Sequence, residues 1–293
     1  MTALAWVFAT VTVAAQIAYP LATSAGRRDL SVAAVLSFAT ASVIHAAYTR
    51  GAGWAAVMVI FTAGGGLAAE TAGVHTGLVF GRYVYTDALG PAVAGVPVVI
   101  PLAWTMMAYP AFTLGRYAAH RLEGHRRCDR GSVASPEAEI PGLLVGPDGR
   151  GAPSRGDGLS IAVTALVGGW LLTTWDLFLD PQMVDAGYWR WSGDGPALNG
   201  IPLSNAAGWL VVGIMITGSL AVIPRRRSGP DGPFTDHLPI GLIGWTYASS
   251  LLANLVFFDR PDVALAGGIG MGTVLAAVAA VATVTGRQYQ PAA

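Results

Sequence analysis

The sequence predicts an all-α fold, a polytopic transmembrane bundle of about eight helices in two four-helix halves. Three observations carry that expectation. The chain of 293 residues is 53% hydrophobic and only 12% charged, where a soluble domain carries about 25% charged residues. Its mean hydropathy is +0.53. Apolar windows of roughly 20 residues, the length a bilayer span requires, recur along its whole length.

The expected spans cover residues 3–24, 30–48, 53–72, 96–119, 159–180, 201–223, 238–258 and 263–285. The first has no basic region or small-residue cleavage pattern and reads as a retained span. The glycines at 64–66 fall inside the third, where small residues let a neighbouring helix come close. Residues 120–158 are charged and rich in Pro and Gly, and read as a flexible linker. They separate an N-terminal half, 1–119, from a C-terminal half, 159–293, within one membrane domain.

All 17 basic residues are arginine. With eight spans, twelve arginines fall on the side of the termini and linker and five on the other. Arg-rich short loops stay cytoplasmic, so both termini are expected there, in a multi-pass protein of the cell membrane. Arg27 and Arg28 oppose that orientation from a short loop on the far side.

Several chemistries are excluded. A net charge of zero leaves no electrostatic footprint for nucleic acid. The single cysteine, Cys128, permits neither an internal disulfide nor a cysteine-based metal site. Phosphate-cradling Gly-rich loops after a strand, His-x-x-x-His clusters and a nucleophile elbow with its Ser-His-Asp set are all missing.

Two loops repeat each other. GRYVYTDALGPAVAGVPVVIPLAW (81–104) is echoed by GYWRWSGDGPALNGIPLSNAAGW (187–209). At an offset of 105, Gly90-Pro91 falls on Gly195-Pro196, Gly95-Val96-Pro97 on Gly200-Ile201-Pro202, and Trp104 on Trp209. One residue of slip aligns Tyr83 and Tyr85 with Trp189 and Trp191, and Glu70 with Asp176. Each copy is an intramembrane acid, an aromatic-x-aromatic stretch, a Gly-Pro turn and a G-[VI]-P that opens the next helix. One copy joins the third and fourth spans and the other the fifth and sixth, so both loops belong on the same, non-cytoplasmic side. Two acids and two aromatic pairs can converge there.

An ionisable group inside an apolar span costs roughly 2.5–3.5 kcal/mol on insertion scales, so Glu70 and Asp176 are candidate functional acids. Asp180 follows Asp176 by one helical turn and shares its face if the helix continues past Pro181. The plainer reading puts these acids at the interface, paired with Arg82 or Arg190. Tyr83, Tyr85, Trp189 and Trp191 fit either an interfacial aromatic belt or the walls of a site. His75 lies near the end of the third span, Asp87 in the first loop and Gln182 beyond Pro181. Asn205 is suited to bonding between helices, and His45 reads as structural.

ETAGVHTGLVFGRYVYTDALGPAVAGVPVVIPLAWTMMAYP (70–110) and WDLFLDPQMVDAGYWRWSGDGPALNGIPLSNAAGW (175–209) resemble the membrane-bound carotenoid biosynthesis proteins. Characterised members of that family are carotenoid 1',2'-hydratases of the bisanhydrobacterioruberin hydratase type. The two stretches make up about a quarter of the chain; the outer spans match in character alone. The resemblance implies addition of water to the terminal double bond of an acyclic carotenoid, with no redox cofactor and no metal. The implied partners are the lipid-soluble carotenoid, water, membrane lipid and other carotenoid biosynthesis enzymes.

That reaction needs a proton donor at an apolar site, for which Glu70 or Asp176 is suited. The resulting tertiary carbocation would be held by the faces of Tyr83, Tyr85, Trp189 or Trp191, with Trp104, His75, Gln182 and Asn205 also contacting substrate. Asp180 or Asp87 would position the water and take its proton. Two other classes stay open: a Mg²⁺-dependent prenyl or lipid transferase using DLFLD, and a non-enzymatic carotenoid-binding or transport protein.

Overall fold

A computed structural model describes residues 2–133, 155–193, 195–224 and 236–287. Within them the chain forms eight long helical segments, matching the expected spans to within a few residues at most ends. The first is α1 (Thr2–Ala18), ending in a 3-10 turn, and the second α2 (Ser24–Arg50). The third is α3 (Ala52–Val59), a π turn (Ile60–Gly64) and α4 (Gly65–Thr76) run together. There follow α5 (Val99–Val133), α6 (Arg155–Asp185), α7 (Leu203–Val222), α8 (His237–Leu252) with a π turn (Ala253–Phe257), and α9 (Pro261–Arg287). Residues 134–154 of the expected linker lie outside the described residues, and the helix of α5 extends into it as far as Val133.

Seven of these segments are long and apolar enough to cross a membrane. The exception is α5, and its position explains its composition. It packs against α2, α6, α7, α8 and α9, so other helices surround much of it. Buried Thr105 bonds Thr62 across the third span at 2.9 Å, and buried Tyr109 bonds His45 of α2 at 2.8 Å. Polar side chains matched within the bundle do not need an apolar window, and His45 takes the structural role expected of it.

Short strands close one end of the bundle. β1 (Tyr83–Tyr85) follows α4; β2 (Ala92–Val93) and β3 (Val96–Pro97) precede α5. β4 (Trp189–Trp191) follows α6; β5 (Ala197–Leu198) and β6 (Ile201–Pro202) precede α7. β2 pairs with β3, and β5 with β6, across two-residue turns. Both turn positions have positive φ: Ala94 and Gly95 in the first, Asn199 and Gly200 in the second. That is the mirror-image turn favoured in tight hairpins, for which Asn-Gly is the preferred sequence. The expectation for G-[VI]-P is refined: both dipeptides pair in hairpins, and Val96-Pro97 stops one residue short of its helix whereas Ile201-Pro202 leads directly into one, with Pro202 as its N-cap. α5 starts at Val99 and α7 at Leu203.

The two copies also pair with each other. β1 runs antiparallel to β4 with Tyr83 opposite Trp191, Val84 opposite Arg190 and Tyr85 opposite Trp189. The flanking bonds repeat the symmetry: Thr86 N–H donates to Tyr188 at 2.9 Å, and Ser192 N–H donates to Arg82 at 2.8 Å. A pseudo-twofold axis passes through the Val84–Arg190 pair. Both loops therefore lie at one end of the bundle, as the span count required.

Candidate active site

Glu70 sits in α4, 4% exposed. Tyr83 and Tyr85 both donate to its Oε2, Tyr85 at 2.8 Å, and Trp104 Nε1 donates to its Oε1 at 3.0 Å. Trp104 N–H is a donor only and both phenols are able to donate, so the pocket can supply three hydrogen bonds to an ionised carboxylate. The strand alternation explains how two tyrosines reach one acid: residues 83 and 85 point to the same face of β1, and exposed Val84 to the other. Burial and the adjacent Glu70 charge push both phenols well above the ordinary tyrosine range, which keeps them protonated as donors.

Across from this group stand Asp176 and Asp180, 1% and 4% exposed. Helix α6 continues through Pro181 to Asp185, so the two acids do share a face. Asn205 of α7 donates through one nitrogen to Oδ2 of both aspartates, at 2.7 Å to Asp176. Asp176 Oδ1 is buried and has no protein hydrogen-bond partner. Among the described residues no arginine pairs with Glu70, Asp176 or Asp180, so the plainer expectation of interfacial pairing with Arg82 or Arg190 does not hold.

A small cavity separates the groups, leaving about 30 Å³ for the centre of a water-sized molecule, enough for a water or two. Glu70 and Asp180 both face it, with Asn205 between helices. Its walls are aromatic: Tyr83 lies 4.8 Å from Trp191, Tyr85 meets Trp189 edge-on at 5.6 Å, and Trp104 stacks on Trp209. Trp191 Nε1 is buried without a partner at this cavity.

The structure thus brings together Glu70, Asp180, Tyr83, Tyr85, Trp104, Trp189, Trp191 and Asn205, with Asp176 just behind in an adjoining crevice. It leaves out three candidates. Asp87 is exposed in a 3-10 turn, where Thr86 caps the backbone. His75 is exposed at the end of α4, turned away from Glu70 by the five-residue spacing. Gln182 lines a different cavity. Conversely, Trp209, Trp175 and Phe80 line the site although sequence reasoning does not assign them to it. Trp209 carries a signal, its alignment with Trp104; Trp175 and Phe80 have only their apolarity. Among the described residues no three His, Cys, Asp or Glu side chains form a metal-binding group.

The carotenoid biosynthesis protein family model matches residues 30–272. The chain belongs to the carotenoid biosynthesis protein family. The match runs from α2 into α9, well beyond the two loop-centred stretches that suggested it. No curated protein and no solved structure matches the chain. Membership places this membrane protein in carotenoid biosynthesis.

Proposed function

We propose that the protein is a carotenoid hydratase that adds water across the terminal double bond of an acyclic carotenoid end group. The observation that carries this reading is the pairing, across one aromatic cavity, of an acceptor carboxylate with an aspartate couple. Two carboxyl groups bonded to a single amide nitrogen, with no cation, coexist best by holding one proton between them. Asp180, the member facing the cavity, gives that proton to the CH carbon of the double bond. The carbon bearing two methyl groups becomes a tertiary cation, which the faces of Tyr85, Trp189 and Trp191 stabilise.

Water then attacks the cation. An ionised carboxylate offers about four acceptor positions, and three on Glu70 are taken. The open position, on Oε1, takes the water's proton, while Trp191 Nε1 is free to hold the water in place. The C–O bond forms as that proton reaches Glu70. Return of the proton to the aspartates through cavity water completes a turnover that consumes only the polyene and H₂O. No arginine lines the cavity, so the diphosphate of a prenyl transferase would lack a counter-charge.

The test is expression in cells making an acyclic carotenoid, with pigments separated and weighed. A product heavier by one water, formed in the presence of chelator and lost in Asp180→Asn with the protein still in the membrane, supports the reading. Unchanged pigment across several acyclic substrates would sink it.

A further inference from the structure

The carboxylate cavity is too small for an isoprenoid terminus and its chain. The hydratase reading, on which this inference rests, therefore needs a second space beside it. Such a space exists. A cavity of about 150 Å³ lies between α1, α2, α6 and α8. It shares Trp175 and Leu179 with the carboxylate cavity and no other residue.

Helix α6 is the partition. Trp175, Phe178, Leu179 and Gln182 are spaced as one helical stripe and line the larger cavity. Asp176 and Asp180 follow Trp175 and Leu179 by a single residue, about a quarter of the way round the helix, which places Asp180 on the smaller cavity and Asp176 on the crevice behind it. Trp175 also meets Trp209 edge-on at 5.8 Å, so it touches both the partition and the stacked pair beside Glu70.

The larger cavity carries no charged side chain. Three of its polar side chains are engaged elsewhere: Gln16 accepts from Trp245 at 2.7 Å, and Thr246 and Ser249 bond their own helix backbone at 2.8 and 3.3 Å. A ligand with a phosphate or zwitterionic head finds no charged partner in that lining, and a hydrocarbon chain needs none. Ala253 on its wall begins the π turn of α8, a helical irregularity that recurs at functional sites.

We infer that this cavity holds the apolar polyene chain of the substrate, with Trp175 and Leu179 as the gate through which the terminal double bond reaches Asp180. Ala34, on the α2 wall, lines this cavity and not the carboxylate one, so a larger side chain there would fill the groove from a wall the carboxylates do not share.

The experiment uses the full chain in lipid nanodiscs. Glu70→Gln protein should retain an acyclic polyene through purification, seen by its visible absorbance, and Glu70→Gln/Ala34→Phe should lose it. In the otherwise native chain, Ala34→Phe should lower kcat/KM for the full-length polyene about ten-fold more than for a short isoprenoid with the same end, the effect of overpacking by a kcal/mol or so. Ser250→Trp, from the α8 wall, repeats the test should Ala34→Phe fail to fold. Pigment held equally with the groove plugged, or by neither form, overturns the inference. Hydration of neither substrate by the native chain overturns the hydratase reading, while pigment retention still reports on the groove.

Discussion

Trp104 and Trp209 stack face to face, ring centroids 4.1 Å apart and planes 13° from parallel. They are equivalent positions of the internal repeat, so the stack lies where the two copies meet. It also unites structure with chemistry, because Trp104 donates to Glu70 while Trp209 touches Trp175 at the partition. Several expected outcomes radiate from this contact.

Glu70→Gln and Asp180→Asn keep side-chain shape while removing the proposed base and acid. Each should lower hydration by roughly 10²–10⁴-fold, the usual worth of a positioned acid or base. Pigment mass spectrometry at matched membrane protein levels checks it. Asp87→Asn, on an exposed turn, should leave product unchanged.

Gly66 lets the third span meet Trp104: a Cβ there would fall 2.5 Å from the indole Cγ. Gly66→Ala should cost about 1–3 kcal/mol and shift the tryptophan emission. At Gly64 a Cβ meets nothing within 4 Å. Gly64→Ala should stabilise by up to about 1 kcal/mol. Thermal unfolding in detergent reads both.

Asn205→Ala leaves two buried carboxyl groups without their common donor. A loss of roughly 1–3 kcal/mol is expected, together with most of the activity. Asn205→Asp, which adds a third acid at the same place, should be worse than Ala. Reversal of that order would count against the shared-proton arrangement.

The hairpin turns offer a symmetric exchange. Ala94 and Asn199 occupy the same left-handed position, φ 51° and 52°, where Asn is tolerated better than Ala. Ala94→Asn should raise the unfolding midpoint and Asn199→Ala lower it, each by up to about 1 kcal/mol. Equal and opposite shifts would confirm that the turns are energetically equivalent.

Tyr83 and Tyr85 have phenols raised by burial and then by Glu70. The stability they contribute is complete below the ordinary tyrosine value near 10 and is lost as pH climbs above it toward the folded value. Tyr83→Phe/Tyr85→Phe should therefore flatten the alkaline fall of the unfolding midpoint. An unchanged alkaline limb would show that other groups set it.

The spans were legible because apolar windows state their own length, and the acids because charge inside such a window is expensive. The coming-together of the loops was legible from span parity and the repeat. What escaped is rotation about helix axes and long-range pairing. The π turn at Ile60–Gly64 inserts an extra residue and rotates α4, Glu70 included, relative to α3; His75 points away because it lies five residues past Glu70 on the same helix. The strand pair β1–β4 joins residues more than a hundred positions apart, beyond any periodicity. Asp87 looked like Glu70 by residue type alone, and burial separated them.

The β1–β4 pairing has one more consequence, for ancestry. Two copies of a helix–loop–helix unit that pair through the same strand about a dyad form a homodimer contact, here kept inside one chain. Because the copies insert in the same direction, an ancestral dimer would need no dual topology. In such a dimer the acids at the positions of Glu70 and Asp176 would be chemically identical, and neither could specialise. Fusion of the genes removes that constraint. One copy is then free to surround its acid with three donors, and the other to add a neighbour one turn away, so that a symmetric scaffold carries a division of labour.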